Sequence, residues 1–137
     1  MGKVTARVKL TNQGDLVLQQ RGLATCAPRE IEVETLVDTG ATRLYLKPSV
    51  IQRLGLLKVD EVVTRTTNGD RTRNVFEPVR LELMQRSGNF DVVDIDEHLP
   101  NLLGQIPLEY LDLVVDPKAR EVRPNPEHGD KFMTEEF

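Results

Sequence analysis

Asp38-Thr39-Gly40-Ala41 holds the residues best suited to chemistry in this sequence. The apolar pair Leu36-Val37 runs straight into it, which puts a carboxylate at the end of a buried strand, where a catalytic aspartate doing acid–base work would sit. Gly40 permits a tight backbone turn and Ala41 is small enough for close packing, so a compact loop can hold the carboxylate. Other groups offer less. The run from Asp91 to His98 collects oxygen and nitrogen ligands, but alternation sends Asp94 and Asp96 to the face opposite Val93 and Ile95, and no metal-loop spacing is met. That run reads as a solvated strand edge, and neither a metal nor a cofactor is expected. Cys26, the single cysteine, has no histidine near it in sequence and reads as a small buried hydrophobe rather than a nucleophile. There is no glycine-rich phosphate loop, no Gly-x-Ser-x-Gly elbow and no His-Glu-x-x-His, and two serines, Ser49 and Ser87, give serine hydrolysis little to work with.

The elements that must position Asp38 are mostly strands. Ile31 to Val37 begins with alternation and turns apolar as it enters the Asp-Thr-Gly turn. Val4, Ala6, Val8 and Leu10 alternate with Thr5, Arg7 and Lys9, which predicts a half-buried strand; Asn12-Gln13-Gly14-Asp15 then supplies turn chemistry, with Leu16-Val17-Leu18 as the return strand of a hairpin. After the turn, Leu44-Tyr45-Leu46 is short and apolar, and Pro48 opens a helix carrying Val50, Ile51 and Leu54 on one side until Gly55 ends it. Val59 to Thr67 and Arg71 to Leu83 read as strands around Asn68-Gly69, the pair suited to a type I′ turn. That register sets Thr67 opposite Asp70 and puts Val62, Thr64, Thr66, Arg71, Arg73 and Val75 on one face. Phe90 to Ile95 is a further strand. Leu102-Leu103-Gly104 is followed by Pro107 to Leu111 and the strand-like Leu113-Val114-Val115. Short strands, regular turns and one or two short helices predict a mainly antiparallel β domain that closes into a barrel-like form.

In the order of these elements the chain resembles the retropepsin-like, single-lobe aspartic proteases. That family shows an apolar pair before Asp-Thr-Gly-Ala, then a flap hairpin, then an apolar pair and glycine leading into a short helix. The resemblance runs from about Val4 to Val122 and implies an acid-protease fold. It also implies peptide hydrolysis by two carboxylates that share one proton, one activating a water and the other protonating the carbonyl oxygen. Only one Asp-Thr-Gly is present, and Pro117 after Asp116 removes the backbone donor a second such turn would use. A homodimer with Asp38 facing its two-fold mate supplies the second carboxylate. By the same resemblance, the Thr39 hydroxyl bonds across the dimer, the Gly40 backbone orients the carboxylate, and Leu102, Leu103 and Leu111 wall the loop from behind. Ala41, Thr66, Thr67, Asn68 and Gly69 would bind a peptide or protein substrate that adds as a strand beneath the flap. This flap lacks the tyrosine of pepsin-like flaps and carries Arg65, Arg71 and Arg73, charges that discourage edge pairing or favour acidic substrate residues. The alternative is a monomeric module of the same fold that binds extended peptides or a partner without cleaving them.

Composition sets the remaining bounds. With 137 residues the chain suits one domain, too short for a two-lobed acid protease. No apolar run approaches membrane-spanning length, and a net charge of −4 is not a nucleic-acid signature, so neither membrane nor nucleic acid is an expected partner. A single cysteine, no apolar leader segment and no Ser or Thr at the sixth position for N-terminal acylation make a reducing cytoplasm the expected compartment. Residues 1–123 are read as the protease domain and 124–137 as a mobile acidic tail, with Glu127, Asp130, Glu135 and Glu136 against Lys131. Phe132-Met133 within it has the apolar character that enzymes of the resembled family often cut, which suggests a pseudo-substrate or self-processing site, the alternative being a solvated terminus with no role.

Overall fold

In the computed structural model, which describes residues 3–134 and 136, the N-terminal alternation becomes strand β1 (Thr5–Asn12), with Val8 and Leu10 buried. Met1 and Gly2, on which the acylation reading rests, and Glu135 of the acidic tail lie outside the described residues. The return strand predicted at Leu16-Val17-Leu18 is instead helix α1 (Gln13–Gln20). Asn12 Oδ1 accepts the Asp15 N–H at 3.1 Å as an N-cap, and Asp15 places negative charge in the first turn. These capping signals win over the turn chemistry of the same residues. Arg29 bonds Asp15 through its guanidinium at 2.9 and 3.0 Å and its backbone N–H at 3.0 Å, drawing the following loop back onto the helix. Cys26, expected to be buried, is exposed in that loop.

Strand β2 (Glu30–Val37) runs antiparallel to β1, from Thr5 opposite Leu36 to Thr11 opposite Glu30. It ends at the Asp-Thr-Gly turn. Strand β3 (Leu44–Leu46) and helix α2 (Pro48–Leu54) follow, with Val50, Ile51 and Leu54 buried and Gly55 closing the helix at φ 66°, as the sequence pattern predicts. Then come β4 (Lys58–Thr66), β5 (Gly69–Leu83), β6 (Arg86–Asp94), β7 (Leu102–Leu103), α3 (Gln105–Tyr110), β8 (Leu113–Asp116) and β9 (Glu121–Pro124).

The hydrogen-bonded order β1-β2-β7-β3-β6-β5, with β5 returning to β1, joins the strands into a closed ring; β4 hangs outside it on the first half of β5. Most pairings are antiparallel, while β2–β7 and β3–β6 are parallel. β5 changes partners along one edge: it pairs with β4 as far as Phe76, and from Val79 with β1. The register shift lies between those residues, where Pro78 has no N–H to give the ladder. Leu10, Leu46, Leu81 and Leu103 fill the ring with no exposed surface. A second apolar cluster of Tyr45, Val75, Val93 and Ile95 covers the other face of β3 and β6. Burial on both faces is why Leu44-Tyr45-Leu46 is apolar without alternation.

The β4–β5 turn differs in detail from the expectation. Thr66, not Thr67, begins the turn, Arg65 faces Asp70, and of the two positive φ angles a type I′ turn needs at Asn68 and Gly69, Gly69 alone has one (103°). Thr66 Oγ1 accepts the Asn68 N–H at 3.2 Å and donates to the Gly69 carbonyl at 2.6 Å. The register has slid by two places, so Val62, Thr64, Arg71 and Arg73 still share a face, because side chains repeat every two residues. Beyond β9 the chain lies against the body. Asn125 Nδ2 donates to Asp112 Oδ1 at 3.1 Å, His128 Nδ1 is 2.6 Å from Asp112 Oδ2, and the Phe132 ring meets Tyr110 edge-on beneath the Arg86 guanidinium.

Candidate active site

The Asp-Thr-Gly loop is held from both ends by one short strand. β7 lies parallel to β2, pairing Val37 with Leu103, and antiparallel to β3, pairing Leu44 with Leu103. The chain thus enters the loop on one side of β7 and leaves it on the other. Asp38 N donates to the Leu103 carbonyl at 3.0 Å, and Gly40 N donates to Asp38 Oδ1 at 2.9 Å. Beyond β7, Gly104 N, Gln105 N and Ile106 N reach back to the carbonyls of Arg43, Ala41 and Thr42 at 3.0, 2.8 and 2.9 Å. These are the amides that the first turn of α3 cannot satisfy internally, so helix and loop complete each other. Gly104 has an ordinary φ of −92°; it is glycine because a Cβ would overlap the Arg43 carbonyl oxygen and lie 2.7 Å from that of Ala41.

Asn101 is a positioning residue that the local sequence pattern does not reveal. Buried, it accepts the Lys47 N–H at 2.8 Å and donates to the Glu34 carbonyl at 3.3 Å, while its own carbonyl takes the Leu36 N–H at 2.7 Å. One side chain therefore ties the strand before the loop to the strand after it. Its side-chain partners both lie more than fifty residues earlier in the sequence, beyond any local periodicity.

Asp38 is half-buried in the wall of a cleft of about 950 Å³. Of the residues singled out from sequence, Gly40, Ala41, Thr66, Thr67 and Asn68 line the same cleft; Thr39 and Gly69 do not. Thr39 lines a separate hollow of about 430 Å³ with Val37, Leu113, Val114, Val115 and Pro117. The Asp38 cleft has an apolar side, from Tyr45, Ile95, Leu99 and Leu102, and a charged one. Arg71 Nη1 and Arg73 Nη1 donate to the two oxygens of Asp96 at 2.8 and 3.0 Å. The Arg73 hydrogen bond, and then that of Arg71, hold the Asp96 carboxyl below the usual range against the opposing effect of desolvation. Asp94 accepts from Asn74 N and Nδ2, both at 2.9 Å. Both aspartates read as a solvated strand edge are thus tied to the hairpin across β5 and β6. Phe132 and Met133 do not line this cleft, and the Phe132 ring is engaged with Tyr110.

Among known proteins, the family model described as aspartyl protease matches residues 25–105, from the loop before β2 to the start of α3. No curated protein sequence matches the chain. Among solved structures it is similar to EIAV protease complexed with the inhibitor HBY-793, at a TM-score of 0.54 and 17% identity, over 79% of this chain and 86% of that one. At that identity the likeness is one of fold. The family match spans the Asp-Thr-Gly loop together with the strands and the glycine that lock it, and the fold around them is retropepsin-like; the chain belongs to the aspartyl protease family.

Proposed function

We propose that this protein is an aspartic endopeptidase that works as a homodimer, with Asp38 of each protomer at a shared two-fold axis. The observation that carries the reading is the Asp38 carboxylate itself, accepting from Gly40 N at 2.9 Å on a loop bonded to β7 and α3, at the wall of a cleft of about 950 Å³. The one other carboxylate lining that cleft, Asp96, has both oxygens bonded to guanidinium groups. It is poorly suited to take a proton from water, so a second copy of Asp38 is the better partner. The apolar hollow around Thr39, formed by Val37, Leu113 and Val115, supports a partner surface beside the loop.

In this reading a peptide lies between the loop and the β4–β5 hairpin, which acts as a flap, and gains main-chain hydrogen bonds through Ala41, Thr66, Thr67, Asn68 and Gly69. The two Asp38 carboxylates hold one proton between them, because like charges in contact resist joint ionisation. The ionised one takes a proton from water as its oxygen bonds to the peptide carbon, and the protonated one gives its proton to the carbonyl oxygen. As the tetrahedral intermediate collapses, the carboxyl that took the water proton passes it to the leaving nitrogen and a hydroxyl proton returns to the other carboxylate, which leaves the pair with one proton again. The lone cysteine fits a reducing, cytoplasmic setting. No helix among the described residues is long and apolar enough to cross a membrane.

The test is to incubate the protein and Asp38→Asn with a diverse peptide library at several pH values and to map cleavage by mass spectrometry. The amide keeps the shape and the bond from Gly40 N but loses the base, so cleavage is expected to fall by at least about a hundredfold. Undiminished turnover in the variant overturns the reading, and a folded native protein that binds peptides and cuts none is a binding module.

A further inference from the structure

The charge of the Asp38 cleft opposes that of the molecule. The chain carries −4, yet the cleft is lined by Arg43, Arg65, Arg71 and Arg73 against two acids, Asp38 and Asp96. These arginines are not equivalent. Arg71 and Arg73 are committed to Asp96, and Arg65 stands almost fully exposed with Asp70 3.9 Å away. Arg43 is half-buried and makes no ion pair with a described residue, though it also lines a second hollow of about 320 Å³ together with Asp91. Its backbone is fixed by the bond from Gly104 N to its carbonyl, in the same loop that carries Asp38. Arg43 therefore lines the cleft five residues beyond the reacting carboxylate, together with the apolar Tyr45 and Leu102, and its guanidinium has no ion-pair partner among the described residues. Low-dielectric walls strengthen a charge contact there, and a guanidinium grips a carboxylate through two parallel N–H bonds.

We infer that this cleft selects peptides with an acidic side chain next to the bond to be cut, Arg43 being the specificity-determining residue that receives the carboxylate. The inference rests on the peptidase reading above, and a two-fold dimer would present one Arg43 on each side of the scissile bond. Asp96 acts as an internal competitor: it occupies Arg71 and Arg73, so the preference falls mainly on Arg43. The lowered carboxyl of Asp96 keeps that competitor ionised through the neutral range.

Binding can be read apart from cleavage by using Asp38→Asn as the parent protein. Degenerate peptide pools with one fixed Glu, Gln or Lys are fluorescently labelled and titrated by anisotropy at low and high salt. The Glu pool is expected to bind about five- to tenfold tighter than the Gln pool, with the Lys pool weakest and the difference shrinking at high salt. Adding Arg43→Gln should bring Glu and Gln to parity, and adding Asp96→Asn, which frees two guanidiniums, should widen their ratio. Equal binding of Glu and Gln pools by the parent overturns the inference, as does an unchanged ratio in an Arg43→Gln protein with an unaltered circular dichroism spectrum. If the native protein cuts peptides with no preference for Glu, the inference fails alone. If the preference is present and nothing is cut, the charge reading stands and the peptidase reading falls.

Discussion

At Gly104 a methyl group would press on the carbonyl oxygens of Arg43 and Ala41, which already accept N–H bonds from Gly104 and Gln105. Both obstacles are backbone atoms and cannot swing aside as the end of a long side chain would. Gly104→Ala is therefore expected to destabilise the fold by about 1–3 kcal/mol, the usual cost of overpacking a tight contact. The same shift would carry the Asp38 loop away from β7, so peptidase activity should fall by more than the unfolded fraction explains. Denaturant midpoints, together with cleavage rates at a temperature where the variant is folded, measure both effects. An unchanged midpoint would mean that the start of α3 can retreat without cost.

The β4–β5 hairpin is the element with the least burial near the site: β4 has no buried residue and β5 none before Val75. Apart from Val62, which packs against the Tyr45, Val75, Val93 and Ile95 cluster, what ties its arm to the body is polar, Arg71 and Arg73 to Asp96 and Asn74 to Asp94. Arg73, then Arg71, lowers the carboxyl of Asp96 in the folded state. A lowered native pKa means the tie is at full strength above the range of a free carboxylate, about pH 4, and is lost as pH falls through the lowered value. Hydrogen exchange of the amides of residues 69–74, taken relative to the intrinsic rate, should accelerate below about pH 4 while the ring strands stay protected. Asp96→Asn should give the same acceleration at neutral pH. Exchange in the arm that is indifferent to both changes would show that the pairs do not restrain it.

For the whole molecule the governing question is how many copies make one site. A single Asp-Thr-Gly is present and Asp96 is held by arginines, so the proposed shared site predicts that activity per chain falls on dilution through the dimer dissociation constant. Sedimentation and cleavage rates over the same concentration series make the comparison. Full specific activity in a demonstrably monomeric sample would sink the shared site. Contacts after β9 also act at this scale, since Asn125, His128 and Phe132 bring the last segment onto Asp112 and Tyr110 rather than toward Asp38.

Local features were legible in the sequence: the apolar approach to Asp38, the Pro48 helix closed by Gly55, a hairpin near Asn68-Gly69 though not its register, and the order of motifs that resembles the retropepsin-like family. Such features depend on neighbours a few residues apart, where periodicity and capping rules operate. Where two local signals competed, as at Asn12 to Asp15, the cap prevailed and a helix formed where a strand was expected. Tertiary structure alone decided the rest. The closure of β5 on β1, the parallel seat of β7 beside β2, the reach of Asn101 between Glu34 and Lys47, and the capture of Arg71 and Arg73 by Asp96 all join residues more than twenty apart. Each satisfies a polar group or closes an edge that its own segment leaves open, and no local pattern records which distant segment will do so.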